Sequence, residues 1–326
     1  MPMKILVPLS KAKYVDSYIQ AGADEMYLGF HDEEWVETFG DYADINRMSG
    51  FKERANPYTF RQMLWVIERI KEKGKNAFVT MNANGYSSEQ IRFMETHYFP
   101  LLAKCKVDGL ILSDMNAIIS AQKFNLQPIA STMCAIYNAD IANMYARVGV
   151  RRMILPRDLS LNELKGICSG LPEVEFEAFF MRNGCIFSDC YCLGMHRSEC
   201  GATCTYTRYG NNRYIHDYCR FSDFHDVDVN DYLYRTAFHL DACAMCALYR
   251  LKQIGITSLK IVGRADDFDS VCRDIALTRT NLAILEKSQS EQEYLERMQF
   301  PQNYPQKCRM GISCYYPEIR FGEMRG

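Results

Sequence analysis

The amino-acid sequence predicts an α/β fold, a TIM-like parallel (β/α)8 barrel with a cysteine-rich insertion after its seventh strand. Three observations lead there. Eight short apolar runs of strand length recur along the chain, each followed by a helical pattern or a long loop. At 326 residues with 48% hydrophobic side chains, the chain is long enough to close one large core. The densest group of chemistry-bearing residues falls directly after the seventh run, and barrels collect function at the C-terminal ends of their strands.

In chain order, Ile5-Leu6-Val7 reads as strand one and Tyr14 to Gln20 as a helix. Glu25-Met-Tyr-Leu28 is strand two, and an acidic, polar excursion over 31–57 precedes a long helix from Phe60 to Glu72 that stops at Gly74. Strands three to six are Ala77–Met81, Gly109–Leu112, Pro128–Ser131 and Arg152–Leu155. Strand seven is Val174–Phe180 and strand eight Ser258–Val262, separated by a cysteine-rich and tyrosine-rich insertion over 185–240. After Arg264 a helix is expected to run to about Phe300. One barrel domain over 1–300 and a C-terminal tail over 301–326 follow from this reading.

Composition excludes several classes. A net charge of −2 gives no global pull toward nucleic acid, so RNA is a possible partner that charge does not favour. The start shows no signal-peptide core and no later segment approaches a membrane span, so a cytoplasmic location is expected. In a reducing compartment, fourteen cysteines argue for metal binding or reactivity rather than a disulfide framework. Nucleophile-elbow, zinc-protease, phosphate-loop and dinucleotide fingerprints are all absent from the sequence.

Five of those cysteines, Cys185, Cys190, Cys192, Cys200 and Cys204, fall within twenty residues, and Cys243 and Cys246 follow. Such clustering implies a shared ligand or shared redox chemistry. An iron–sulfur cluster needs four converging thiolates, which one loop and one distant segment can supply. Zinc is the alternative, although its structural sites favour paired Cys-x-x-Cys knuckles and only Cys243-Ala-Met-Cys246 has that spacing. Asp241 reads as a helix N-cap, which would set Cys243 in a first turn where amide donors and the helix dipole stabilise a thiolate. Cys246 could share that face or simply pack. Cys134 is a further candidate, whereas Cys105, Cys168 and Cys272 sit in helical patterns as small hydrophobes.

Polar residues at the strand ends outline a pocket: Asn82, Asn84, Ser113, Asp114, Ser131, Asn138, Arg157, Glu177, Lys260 and Arg264. Among them, Glu177, Arg157, Lys260 and Arg264 are the catalytic candidates, and Asn82, Ser113, Asp114 and Ser131 candidates for substrate binding. Arg47 and Arg54, in the excursion, could reach over the pocket and clamp an anionic group.

Taken with Ala21–Gly29, Asp108–Asp114, the Gly149–Leu161 segment containing Leu-Pro-Arg-Asp-Leu-Ser, and Ser258–Arg264, the ordered cysteines resemble the peptidase U32 family. The resemblance runs from Leu6 to about Ser270. It implies a barrel and, as in the family's iron–sulfur members, a [4Fe–4S] cluster serving oxygen-independent hydroxylation of ubiquinone precursors, tRNA or rRNA. Carried over by position, the ligands would be Cys185, Cys192, Cys204 and Cys243, with Cys200 the alternative to Cys204. Met181-Arg182 stands where the family has His-Gly, Val262 where it has Glu, and the tyrosine-rich segment is unlike the family. With no sign of the extra domain of the RNA-modifying relatives, a small-molecule or peptide-like substrate is expected. Three readings follow: a cluster-dependent hydroxylase or related redox enzyme, a U32-type peptidase with a structural cluster, or a cluster-bearing partner subunit of a hydroxylase complex.

Overall fold

A computed structural model describes residues 2–182, 184, 188–190, 242–264, 266–301 and 314–319. Eight parallel strands close a barrel: β1 (Lys4–Pro8), β2 (Glu25–Leu28), β3 (Asn76–Met81), β4 (Gly109–Leu112), β5 (Pro128–Ala130), β6 (Arg152–Ile154), β7 (Glu175–Met181) and β8 (Ile256–Ile261). Each lies beside its neighbour in sequence, and closure comes from β8 on β1, with Lys4 opposite Ser258 and Leu6 opposite Lys260. The strands are buried along almost their whole length because helices cover their outer faces. Each fully buried Leu, Ile or Phe in that layer contributes roughly 1.5–3 kcal/mol.

Helix starts are set by side chains that satisfy exposed amides. Thr59 with Gln62 and Ser160 with Glu163 form reciprocal capping boxes on Phe60–Glu72 and Leu161–Cys168. The first of these helices ends as expected, with Lys73 as C-cap and Gly74 at φ +67° behind it.

Three elements differ from expectation. The first helix is Val15–Ala21, with a 3-10 turn at Ala12–Tyr14. The 31–57 excursion is built, not loose: Glu33–Phe39 is a helix whose Trp35 is fully buried and donates Nε1–H to the Ala43 carbonyl at 2.7 Å. Phe30–His31 pairs with Tyr58–Thr59, closing the excursion at its base. Finally, the last helical stretch divides into Phe268–Lys287 and Glu291–Arg297, because Ser290 turns extended and caps the second helix through Glu293 N–H. Residues 314–319 return to the barrel, with Tyr315 and Tyr316 buried. Among the described residues no helix is long and apolar enough to cross a membrane.

Candidate active site

The barrel interior carries charge. Arg152, at the start of β6, is 4% exposed and reaches Glu25 at 2.9 and 2.6 Å, Glu177 at 3.1 and 2.9 Å, and Ser258 at 2.8 Å, with its guanidinium 4.7 Å from the Phe78 ring centre. Burial disfavours the Glu25 anion, but Arg152 outweighs it and holds that carboxyl below the usual range. One turn of the pleat higher, Lys260 donates to Glu177 at 2.7 Å and lies 4.2 Å from the Tyr27 ring centre. Burial pulls the Lys260 ammonium below its ordinary value, and the Glu177 carboxylate opposes that pull. Glu177 and Lys260 are thus a buried pair at the floor of the site.

Above them, at the strand ends, lies an arginine-rich mouth. Asp189 is completely buried, between Arg47 and Arg157, with Arg157 Nε at 2.8 Å, Arg157 Nη2 at 3.1 Å and the Thr132 hydroxyl at 3.1 Å. Burial alone would push this carboxyl up, but Arg157 and then Arg47 hold it well below the carboxylate range. Arg157 also stacks 4.2 Å from the Phe179 ring centre. Asn82 ties the rim together: its amide donates to Ser131 at 3.0 Å and its carbonyl accepts the Arg47 N–H at 3.3 Å.

Arg264, which follows β8, reaches Thr80 on β3 and the end of β2 at Gly29. Its Nη1 donates to Asn56 Oδ1 and Thr80 Oγ1, both at 3.1 Å, and Nη2 to Asn46 Oδ1 at 3.5 Å. Gly29, at the end of β2, makes this path possible, since a Cβ there would lie 2.4 Å from Arg264 Nη1 and 2.2 Å from Asn56 Oδ1. Burial pulls the Arg264 guanidinium down to about 10, so it stays charged at neutral pH.

Cys243 is at this same end. It bridges Met181, the last residue of β7, and Cys314 on its other side. The expected placement in a helical first turn is corrected: Cys243 is in extended backbone, a 3-10 turn follows at Met245–Ala247, and the helix begins at Leu248. Pairing with β7 and with Cys314 holds this stretch straight, so its donor is a turn amide rather than a helix terminus: Met245 N–H points at Cys243 Sγ from 3.3 Å. A half-buried sulfur receiving an amide hydrogen is a fitting environment for a metal-bound thiolate. Cys185, Cys192, Cys204 and Cys200 lie outside the described residues, as does Asp241. Cys246 and Cys134 are buried, and burial pushes the Cys134 thiol up to about 12, an inert state.

Two sequence candidates make local hydrogen bonds at the end of β4. Asp114 caps Met115–Lys123 by accepting from Ala117 N–H at 3.0 Å, and Ser113 donates its hydroxyl to the Ala83 carbonyl. Sequence reasoning missed Asp189, Tyr27, Arg152, Glu25, Thr80, Asn46, Asn56 and Arg182. Charged residues opening the apolar runs Glu25-Met-Tyr-Leu and Arg152-Met-Ile were the readable signal for two of them.

Arg182 explains one departure from the family pattern. It occupies the position of the family's glycine at φ +67°, and it keeps that backbone through ion pairs to Asp266 at 2.8 Å and Asp274 at 3.0 Å. The strained conformation costs about 1–3 kcal/mol, and the two pairs tie the end of β7 to the last long helix.

A closed parallel barrel with buried ionisable groups at the C-terminal ends of its strands defines an enzyme-like α/β barrel. The family is also defined: the model of peptidase family U32 matches residues 10–316, and the chain belongs to that family. Relatives include an uncharacterized protease of Methanocaldococcus jannaschii, 24% identical over 85% of this chain and 64% of that protein. A tRNA hydroxylation protein P of Helicobacter pylori is 23% identical over 59% of this chain and 42% of its own length. A collagenase of Porphyromonas gingivalis is 24% identical over 50% of this chain and 35% of its own. The chain spans less than two thirds of each of these proteins. Among solved structures, a U32 peptidase superposes with a TM-score of 0.42 at 12% identity, covering 55% of this chain and 69% of the other. A thiamine phosphate pyrophosphorylase from Pyrococcus furiosus gives 0.45 at 10% identity, over 87% of this chain and 96% of the other.

Proposed function

We propose that this U32 protein is an iron–sulfur enzyme of the oxygen-independent hydroxylase kind, acting on a small or aromatic substrate at the barrel mouth. One observation carries the reading: Cys243, its sulfur receiving an amide hydrogen, is bridged to the end of β7, at the same end of the barrel as the mouth above the buried Glu177–Lys260 pair. A purely structural metal has no need of that position. Cys243 with Cys185, Cys192 and Cys204 would hold a [4Fe–4S] cluster, with Cys200 in place of Cys204 as the alternative ligand. Such a cluster supplies one-electron chemistry when bound.

The chain's own residues supply the rest. Lys260 donates to Glu177 across 2.7 Å on the floor of the site, and burial eases release of a proton from Lys260. Phe179 and Tyr27 give that floor aromatic surface, and burial excludes bulk water from it. A relative named for tRNA hydroxylation supports the reaction class, while the formal charge of −2 favours a small substrate over RNA. The test compares wild type with Cys243→Ser by circular dichroism and by anaerobic turnover on aromatic precursors, RNA and peptides. Loss of hydroxylation with an intact fold is expected. Robust peptide cleavage by the cluster-free variant would reject the reading in favour of a hydrolase.

A further inference from the structure

Cys243 has a thiol neighbour from the far end of the chain. Cys314 forms a parallel β-bridge with it, on the side away from Met181 and the end of β7. Among the described residues no other two cysteines face one another across a β-bridge.

The segment that carries Cys314 is held in place by several contacts. Tyr315 N–H donates to the Cys243 carbonyl at 3.2 Å, the Tyr315 hydroxyl donates to the Arg182 carbonyl, and its ring stacks on Phe179 with centres 6.2 Å apart. Tyr316 is buried, and Glu318 accepts the Leu161 N–H, an exposed donor at a helix start, at 2.8 Å. These contacts fix the register, so that Cys314 stands beside Cys243 rather than one residue away.

Bridge partners lie at the strand spacing of about 4.8 Å, and their side chains leave the ladder on the same face. A disulfide joins Cα atoms about 4.4–6.8 Å apart whose Cβ atoms point to a common side. The bridge therefore meets that requirement without a backbone shift. Both thiols are reduced and half-buried, which leaves them open to a small reagent. Met245 N–H, 3.3 Å from the Cys243 sulfur, stabilises its thiolate, the form that attacks a disulfide.

We propose that Cys243 and Cys314 form a redox-active dithiol, which a low-molecular-weight disulfide oxidises to an intramolecular Cys243–Cys314 bond when Cys243 carries no metal. The Cys243 thiolate attacks one sulfur of the reagent RS–SR, forming a mixed disulfide and releasing RS−. The Cys314 thiolate then attacks the Cys243 sulfur, closes the protein disulfide and expels the second RS−. The two thiol protons go to the two RS− groups, so two protein thiols are oxidised and one RS–SR is reduced to two RSH. The link to the site rests on the functional reading above, in which Cys243 is a cluster ligand. A sulfur engaged in the disulfide cannot bind iron, and a sulfur on iron cannot join the disulfide, so thiol redox state controls loading of the site.

The test exposes the full chain, reduced, chelated and desalted, to glutathione disulfide without oxygen, and maps a non-reduced tryptic digest by mass spectrometry. Trypsin leaves Cys314 alone on residues 310–320, and Cys243 with Cys246 on residues 236–250. Most Cys314 is expected in a link to 236–250 that dithiothreitol reverses. The link should survive Cys246→Ser and vanish in Cys243→Ser, where Cys314 is recovered as its glutathione adduct. In urea, which removes the bridge, the yield of the link should fall severalfold. Cys314 recovered from wild type as thiol or glutathione adduct, a link that depends on Cys246, or equal yields from native and unfolded chain would each overturn the assignment. Iron-loaded protein treated alongside should withhold the link. Equal yields from loaded and chelated protein would defeat the placing of Cys243 on the cluster while leaving the dithiol intact, so the two readings fail separately.

Discussion

Replacing Asp189 by Asn keeps the shape of the side chain and removes its charge, leaving Arg47 and Arg157 facing one another in a buried site. The carboxylate is fully buried and bonded by two guanidinia and a hydroxyl, so the ordinary figure for breaking a buried ion pair applies, about 3 to 5 kcal/mol. With an unfolding entropy of about 2.1 cal/mol/K per residue over the whole chain, that corresponds to a fall of roughly 4 to 7 °C in Tm. The pH dependence has a definite sign. Arg157 and Arg47 depress the carboxyl in the folded protein, so its contribution is complete above the unfolded value of about 4 and is lost as pH falls from there toward the depressed folded value. Wild type and Asp189→Asn should therefore differ most at neutral pH and converge in acid. Thermal melts of both proteins from pH 7 down to pH 3 make the comparison, and a variant as stable as wild type at pH 7, or a gap that widens in acid, would refute the reasoning. Asp189 falls in sequence between Cys185 and Cys192, so the same substitution should also lower iron retention after anaerobic reconstitution.

Changing Cys185, Cys192 or Cys243 to Ser should sharply lower bound iron, while Cys105→Ser, at the end of an outer helix, should leave it unchanged by elemental analysis. Cys204→Ser is expected to empty the site and Cys200→Ser to spare it, and iron counts on the pair show whether the assignment must be reversed. Arg182→Gly relieves a left-handed backbone but loses two ion pairs, for a net loss of about 2 to 4 kcal/mol in urea unfolding. Arg182→Ala loses the pairs and keeps the strain, so it should fall below the glycine variant by about 1 kcal/mol.

The barrel was legible because its signals are local. Each strand is a short apolar run bounded by turn residues, and helix starts such as Thr59 and Ser160 carry their caps in the sequence. The excursion over 31–57 was read as polar loop because its helix rests on one buried tryptophan and on pairing between residues 28 positions apart, which no local period reveals. Of the site, the cysteines and the strand-end residues Arg157, Glu177, Lys260 and Arg264 stood out by position alone. Their roles did not. Arg47 was read as a clamp for a ligand, and its ion pair with Asp189, a residue set among cysteines and distant in sequence, could not be read there. Tyr27 looked like one more apolar strand residue, and only the closed barrel brings its ring to the Lys260 ammonium, 4.2 Å from the ring centre. The charge network around Arg152 depends on side chains from three other strands meeting inside the barrel, a long-range fact absent from any window of the sequence.

Iron and acid-labile sulfide, quantified on protein purified without oxygen and reconstituted with both, test the central claim most directly. The account predicts brown protein with about four of each per chain and a broad absorbance near 400 nm, as expected for a thiolate-bound cubane cluster. One equivalent of zinc, with neither iron nor sulfide retained, would contradict it.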